Sequence, residues 1–199
     1  MIRLTGGEFR GRSIRTPASL HTRPTQAKLR QALFNSIQAY VPEARVLDLF
    51  AGSGALGFEA LSRGATSVVF VESVRSVAAL IEQNARELGV QNRVTIRCED
   101  AATAFKRLAE AGAKATAFDV VMADPPYSEG WETRLVAEPA WDRLLTAEGI
   151  FCLEWGIVKA QVDAIPDETR LLVKAREKNY GDSRLTTYRR AVEPVADGG

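Results

Sequence analysis

The sequence is poor in the residues that metal and redox chemistry relies on. It holds one histidine, His21, and two cysteines, Cys98 and Cys152. The cysteines form no CxxC and have no histidine beside them, so neither a disulfide framework nor a zinc site is expected. A histidine base or histidine-ligated metal would have to run through His21 alone, and the expectation is that no metal takes part. No run of ~18 apolar residues occurs, and Met1-Ile2-Arg3 opens no signal-peptide pattern, which argues against membrane and secreted classes. A reducing cytoplasm is the expected compartment. With Gly 15, Pro 8, 46% apolar and 26% charged residues, collagen-like, disordered and coiled-coil chains are excluded. The 199 residues suffice for one core plus a small appendage.

The net charge of +1 conceals an asymmetry. Residues 1–30 carry seven basic side chains against Glu8, and residues 170–190 carry seven against Glu177 and Asp182. Residues 31–169 hold 12 basic and 20 acidic side chains. Basic ends around an acidic middle fit either ordinary solvated faces or a polyanion-binding surface built from the two ends. On the second reading Arg3, Arg10, Arg12, Arg15 and Arg23 are the candidate phosphate contacts.

Leu4 and Phe9 flank Thr5-Gly6-Gly7-Glu8, a hairpin-type turn signal, so residues 1–22 read as a basic β-hairpin arm. A helix then starts at Pro24 and Thr25, with Thr25 as N-cap, and ends before Pro42. From residue 45 short apolar strands alternate with amphipathic helices. The expected strands are 45–50, 67–72, 93–98, 118–123 and 149–155. The expected helices lie near 55–63, 74–88, 101–111 and 132–145, with Gly64, Gly89, Gly112 and Gly149 as C-cap glycines. Such alternation means βαβ units and a doubly wound parallel sheet. Runs 169–176 and 184–192, joined by residues 177–183, add an antiparallel C-terminal hairpin and make seven strands. Residues 23–194 form the main domain on this reading, and 195–199 a tail.

Gly52, Gly54 and Gly57 make a GxGxxG between the first core strand and a helix. There the backbone approaches a ligand closely and offers N–H groups. Glu72 follows at the end of the second core strand, where an acid can hold ribose hydroxyls. Asp48 stands four residues before Gly52. A carboxylate there repels a pyrophosphate but suits an amino group and a sulfonium. The Asp48-x-Phe50-x-Gly52-x-Gly54 pattern resembles motif I of class I S-adenosylmethionine-dependent methyltransferases, a resemblance that implies S-adenosylmethionine as the cofactor, with NAD as the alternative.

Asp124-Pro125-Pro126-Tyr127 follows the fourth core strand, at the sheet edge where doubly wound folds bind ligands. Prolines remove backbone donors and leave carbonyl acceptors. Acceptors beside an aromatic ring suit a planar group bearing an exocyclic amine. The tetrapeptide resembles the [DNS]PP[YF] motif of amino-methyltransferases. Together with Gly6–Arg12, Arg23-Pro24-Thr25, Lys28–Asn35 and Leu47–Gly64, it resembles the bacterial 16S ribosomal RNA guanine-N2 methyltransferase family that acts on guanine 966. The resemblance covers nearly the whole chain. The chain departs from the usual pattern at Gln26-Ala27, where an acid is common, and at Gln31, where Glu is.

The resemblance implies a class I methyltransferase (Rossmann-like) α/β fold and methyl transfer to a guanine N2 amine in 16S ribosomal RNA. It implies Asp48, Phe50, Gly52 and Gly54 at the methionine end of the cofactor, Glu72 at the ribose, and Asp100 and Ala101 at the adenine. Asp124, Pro125, Pro126 and Tyr127 would form the catalytic base site. A monomer acting within an assembling small-subunit particle is the expected context. An adenine-N6 methyltransferase and a non-catalytic RNA-binding protein on this fold are the rival readings. Glu154 stays open between a ribbon-edge charge and a wall of the base site. Trp131, Trp141 and Trp155 read as packing residues, His21 as a surface or hinge residue, and Tyr180 and Tyr188 as hairpin packing or RNA contacts.

Overall fold

The computed structural model describes residues 1–17, 24–111, 117–127, 129–156 and 165–191. His21, Arg23, Gly112 and the 195–199 tail lie outside them. In chain order the elements are β1 (Ile2–Arg3), β2 (Ser13–Ile14), α1 (Pro24–Ser36), β3 (Arg45–Asp48), α2 (Ala55–Ser62), β4 (Ser67–Val71), α3 (Arg75–Leu88) and β5 (Val94–Arg97). They continue as α4 (Ala101–Ala111), β6 (Phe118–Ala123), α5 (Trp131–Val136), α6 (Trp141–Leu144), β7 (Leu145–Gly156), β8 (Leu172–Tyr180) and β9 (Ser183–Arg190). The main sheet has seven strands in the order β5-β4-β3-β6-β7-β9-β8. Its first five strands run parallel, and β9 pairs antiparallel with both β7 and β8.

Alternation along each strand divides the core between the two faces of this sheet. Val46, Val68, Phe70, Val120 and Ile150 join one cluster with Phe34, Phe58 and Ile81 from α1–α3. Leu47, Val71, Val121 and Phe151 join the other with Phe105 and Trp141 from α4 and α6. Trp141 and Trp155 are packing residues, both buried. Tyr188 is buried too, and its hydroxyl donates to the Pro166 carbonyl at 2.8 Å.

Four local expectations need correction. Helix 132–145 is two short helices, because Pro139 removes an N–H and disfavours helical backbone at the residue before it. Gly149 caps no helix. It lies inside β7, which starts at Leu145 and bulges against β6, where the register shifts between Phe118 and Val120. Thr25 lies within α1, one residue past Pro24, and so is not its N-cap. The amino-terminal segment, finally, is no hairpin about Gly6-Gly7. Its strands pair only as Ile2↔Ile14 and Arg3↔Ser13, with a long loop between.

That loop is docked on α2. Leu4, Phe9 and Ile14 enter the core, and Gly7, at φ 73°, brings its backbone so close to the Ser62 carbonyl that a Cβ would collide. Glu59, fully buried, is the anchor. Its Oε2 accepts the Thr5 N–H at 2.9 Å, and its Oε1 accepts the Thr5 hydroxyl at 2.7 Å. Arg63 lies 2.9 Å from Oε1 and the buried Arg30 3.5 Å from Oε2. Removing one partner of such a buried set strands the opposite charge. Glu59→Ala should therefore lose about 3–5 kcal/mol in urea unfolding, against under 1 kcal/mol for the exposed pair partner Glu82→Ala.

Candidate active site

The sheet order reverses between β3 and β6, and a crevice opens beyond their carboxyl ends, as doubly wound sheets dictate. A cavity of about 590 Å³ fills it, with Phe50, Gly52, Glu72, Asp100, Asp124 and Tyr127 among its walls. Nine of the eleven residues expected at the cofactor and base sites line this cavity, Pro125, Pro126 and Ala101 among them, while Asp48 sits behind the glycine loop and Gly54 within it.

Asp48 is the last residue of β3 and is 1% exposed. Its Oδ2 accepts the Gly57 N–H at 3.1 Å, on the first turn of α2, where a carboxylate complements the helix dipole. Among the described residues its Oδ1 has no hydrogen-bond partner. Desolvation pushes its pKa up to about 7, the Gly57 N–H opposes this, and the Glu72 charge adds to it. Gly54 turns the chain at φ 82°, and a Cβ there or at Gly57 would strike Phe58 or Phe70. The glycines thus let the loop pack tightly on the sheet. Gly52 differs: a Cβ there meets open space.

Glu72 holds the loop from the other side. Its Oε2 accepts the Gly52 N–H at 2.9 Å, and its Oε1 accepts the Val74 N–H at 2.8 Å, which ties β4 to the start of α3. Each oxygen retains a free lone pair. Asp100 caps α4: the Thr103 hydroxyl donates at 2.6 Å and the Thr103 N–H at 2.9 Å, and these bonds lower its pKa.

Asp124 follows β6 and remains partly exposed, yet its carboxyl is desolvated enough to sit well above the usual carboxylate range. The charges of Glu154 and Asp48 raise it further. Tyr127 rests on Gly156, where any side chain would displace its ring. Its hydroxyl donates to Glu154 Oε1 at 2.9 Å and lies 3.1 Å from the Ser183 hydroxyl. The ring stays 38% exposed. Glu154 is thus a wall of the site, since it and Asp124 line an adjoining cavity of about 210 Å³. Trp131 is also more than packing. It lines the larger cavity, edge-on to Phe50 at 5.1 Å, with its indole N–H donating to Glu129 at 2.9 Å. Gln26, where the chain departs from the family pattern, also lines the larger cavity, and Ser183 is a site neighbour that no sequence motif singled out.

Residues 2–189 match the family described as conserved hypothetical protein 95. The chain belongs to this family. It is 33% identical to the ribosomal RNA small subunit methyltransferase D of Escherichia coli, over 98% of this chain and 93% of that one. The solved "Putative methyltransferase yhhF from Escherichia coli" superposes with a TM-score of 0.80 at 30% identity, covering 96% of this chain and 99% of that one. A SAM-dependent methyltransferase from Agrobacterium tumefaciens shares the fold at TM-score 0.64 and 17% identity, over 85% of this chain and 63% of that one. The fold of this family member is the class I methyltransferase fold expected from its motifs.

The candidate arginines of this family member divide into two groups. Arg3 and Arg10 are exposed and line a separate cavity of about 580 Å³ between the docked loop and α1. Arg12 instead donates to the carbonyls of Glu87 and Leu88 at the end of α3. Arg15 pairs with Glu87 at 2.8 Å. Among the described residues no group of three His, Cys, Asp or Glu is placed to hold a metal, and no helix is long and apolar enough to cross a membrane.

Asp48 yields a stability prediction with a definite sign. Its folded pKa, about 7, exceeds the unfolded carboxylate value, so the native state holds the proton more tightly. Its stabilising contribution is complete below ~pH 4 and is lost as pH rises toward 7. At 1.36 kcal/mol per pKa unit the loss is at most about 4 kcal/mol. Thermal melts of unliganded Asp48→Asn between pH 4 and 8 should lack that decline, and a wild-type slope in the variant would contradict the assignment.

Proposed function

We propose that the protein transfers a methyl group from S-adenosylmethionine to the N2 amine of a guanine in small-subunit ribosomal RNA, at position 966 of the 16S molecule. The observation that carries the reading is the meeting of a glycine loop and Asp124–Tyr127 in one crevice. The relative named ribosomal RNA small subunit methyltransferase D supports the substrate class. A monomer in the cytoplasm acting on an assembling small-subunit particle fits this reading.

The residues suit the cofactor. Asp48 offers an unpartnered buried oxygen behind the glycine loop, which fits a cationic methionine end better than a pyrophosphate. Glu72 would accept from the ribose hydroxyls with its free lone pairs, Asp100 and Ala101 would meet the adenine, and Phe50 would form a wall. When bound, S-adenosylmethionine supplies an electrophilic methyl group on its sulfonium.

The guanine amine is a weak nucleophile, because its lone pair is delocalised into the ring. Asp124 and the Pro125 carbonyl would accept hydrogen bonds from the amine and aim its lone pair along the line of transfer. The exposed face of Tyr127 would stack on the base, which has to leave any helical stack to reach the crevice. As the N–CH₃ bond forms, N2 acquires positive charge and must lose a proton. Asp124, whose pKa is raised by desolvation and by Glu154, is a suitable acceptor at neutral pH.

Two measurements test this. Asp124→Ala should abolish methyl transfer, while adenosylhomocysteine affinity stays within a few-fold of wild type by calorimetry. Asp124→Asn keeps an acceptor but no base, and its residual rate should lose its dependence on pH. Binding of NADH with no adenosylhomocysteine binding would reject the reading outright.

The arm carries a separate test. Arg10→Ala should flatten the salt dependence of RNA binding by ~0.7 log unit per lost contact on single strands, with no change in melting temperature. Arg12→Ala should lower the melting temperature, because its guanidinium satisfies carbonyls at the end of α3. Equal salt slopes for wild type and Arg10→Ala would leave the docked loop without a phosphate contact at that position.

A further inference from the structure

The crevice contains more carboxylate than the proposed transfer needs. Asp124 can serve both as acceptor and as base, yet Glu154 stands beside it. In the β6–β7 register Ala123 pairs with Leu153, so Asp124 and Glu154 are the next residues along two adjacent parallel strands. Both line the 210 Å³ cavity that adjoins the larger one. Glu154 is held in place there by Tyr127, whose hydroxyl donates to its Oε1 at 2.9 Å. That same Tyr127 hydroxyl lies 3.1 Å from Ser183. Burial raises the Glu154 pKa, and the donors Tyr127 and Ser183 oppose this and fix its direction. Among the described residues no donor is paired with the Asp124 carboxyl in this way, and desolvation and the charges of Glu154 and Asp48 all raise its pKa. Of the two, Glu154 is the one with donors placed to hold its anion in a fixed direction.

An anion beside the amine site has a consequence for which base fits. The three amine-bearing bases differ in the ring atom next to the amine. In adenine the amine neighbours N1, and in cytosine N3; both are lone-pair acceptors that a carboxylate repels. In guanine one neighbour of the N2 amine is N1–H, a donor. With the amine on Asp124, a carboxylate one strand away can accept N1–H from guanine, and faces a lone pair in either of the other two.

From this juxtaposition we propose that Glu154 is the specificity-determining residue, reading N1–H of the target base and selecting guanine over adenine and cytosine. Tyr127 then has two functions. Its ring stacks on the base, and its hydroxyl orients the carboxylate that reads the base edge. Gly156 completes the arrangement, since only a residue without Cβ leaves room for the Tyr127 ring at that height on β7. The inference rests on the reading of the crevice as an amine-methylating site.

The test uses the whole protein and RNA oligonucleotides carrying either guanine or 2-aminopurine at the target position. 2-Aminopurine keeps the N2 amine but has a bare N1 acceptor. Wild type should show kcat/KM on the order of 10–100-fold lower on 2-aminopurine, the cost of leaving a charged acceptor facing a lone pair. In Glu154→Gln the amide can donate to N1, so the ratio should fall to within a few-fold. Intrinsic reactivity of the two amines cancels in the comparison between variants. Tyr127→Phe should lower both rates while keeping more of the preference than Glu154→Gln does.

Adenosylhomocysteine-induced thermal shift verifies that Glu154→Gln is folded. A wild type that uses both bases equally overturns the proposal whatever the variant does. An unchanged ratio in folded Glu154→Gln overturns it as well, while leaving the methyltransferase reading intact. If wild type binds adenosylhomocysteine but methylates no guanine amine, the underlying reading fails and this inference falls with it.

Discussion

The parallel pairing of β3 with β6 is the constraint on which the site depends. The Asp48↔Met122 register brings the ends of two strands level at the point where the sheet order reverses. Everything chemical follows from that alignment. Asp48 ends one strand, Asp124 begins the loop after the other, and Glu154 stands level with Asp124 on β7. Desolvation raises the pKa of all three, and the charges of Glu154 and Asp48 raise that of Asp124 further. Such a site repels phosphate and favours cations and hydrogen-bond donors. A charged sulfonium and a base edge rich in N–H groups are partners of that kind.

Much of the strand and helix order was legible from period and punctuation, because parallel strands buried on both faces read as short apolar runs. Gly64 and Gly89 follow their helices at φ 101° and 77°. The failures have local causes. Pro139 broke a helix that the spacing of apolar residues favoured, and the bulge in β7 hid the first residues of that strand behind a polar stretch. The turn of the last hairpin is tighter than residues 177–183 suggested, since Tyr180 pairs directly with Ser183.

The site was legible where a motif is contiguous and obscure where it is assembled by register. The glycine loop and Asp124–Tyr127 are local strings. Glu154 and Ser183 reach the site from β7 and β9 through strand pairing, and Gly156 matters only because Tyr127 lies over it. No single-sequence pattern encodes that. Trp131 was obscured for a different reason. An indole at the start of a short helix is indistinguishable in sequence from a core residue until its neighbours, the half-buried Phe50 and the exposed Arg134, are in place.

The basic amino-terminal segment shows why charge counting is a poor guide to roles. Seven positive charges in thirty residues read as one surface, yet the fold sorts them by partner. Arg30 is buried against Glu59, and Arg12 and Arg15 hold the loop to α3. Arg3 and Arg10 stay at the surface, beside a cavity that shares Gln26 with the main crevice. Burying Arg30 costs desolvation and returns it as attachment of the loop, since its guanidinium also donates to the Arg3 carbonyl at 2.8 Å. The exposed members are positioned by that attachment. A loop that anchors itself with some of its arginines can present the others at a fixed distance from the crevice. A freely moving arm would have to pay the ordering entropy on every encounter.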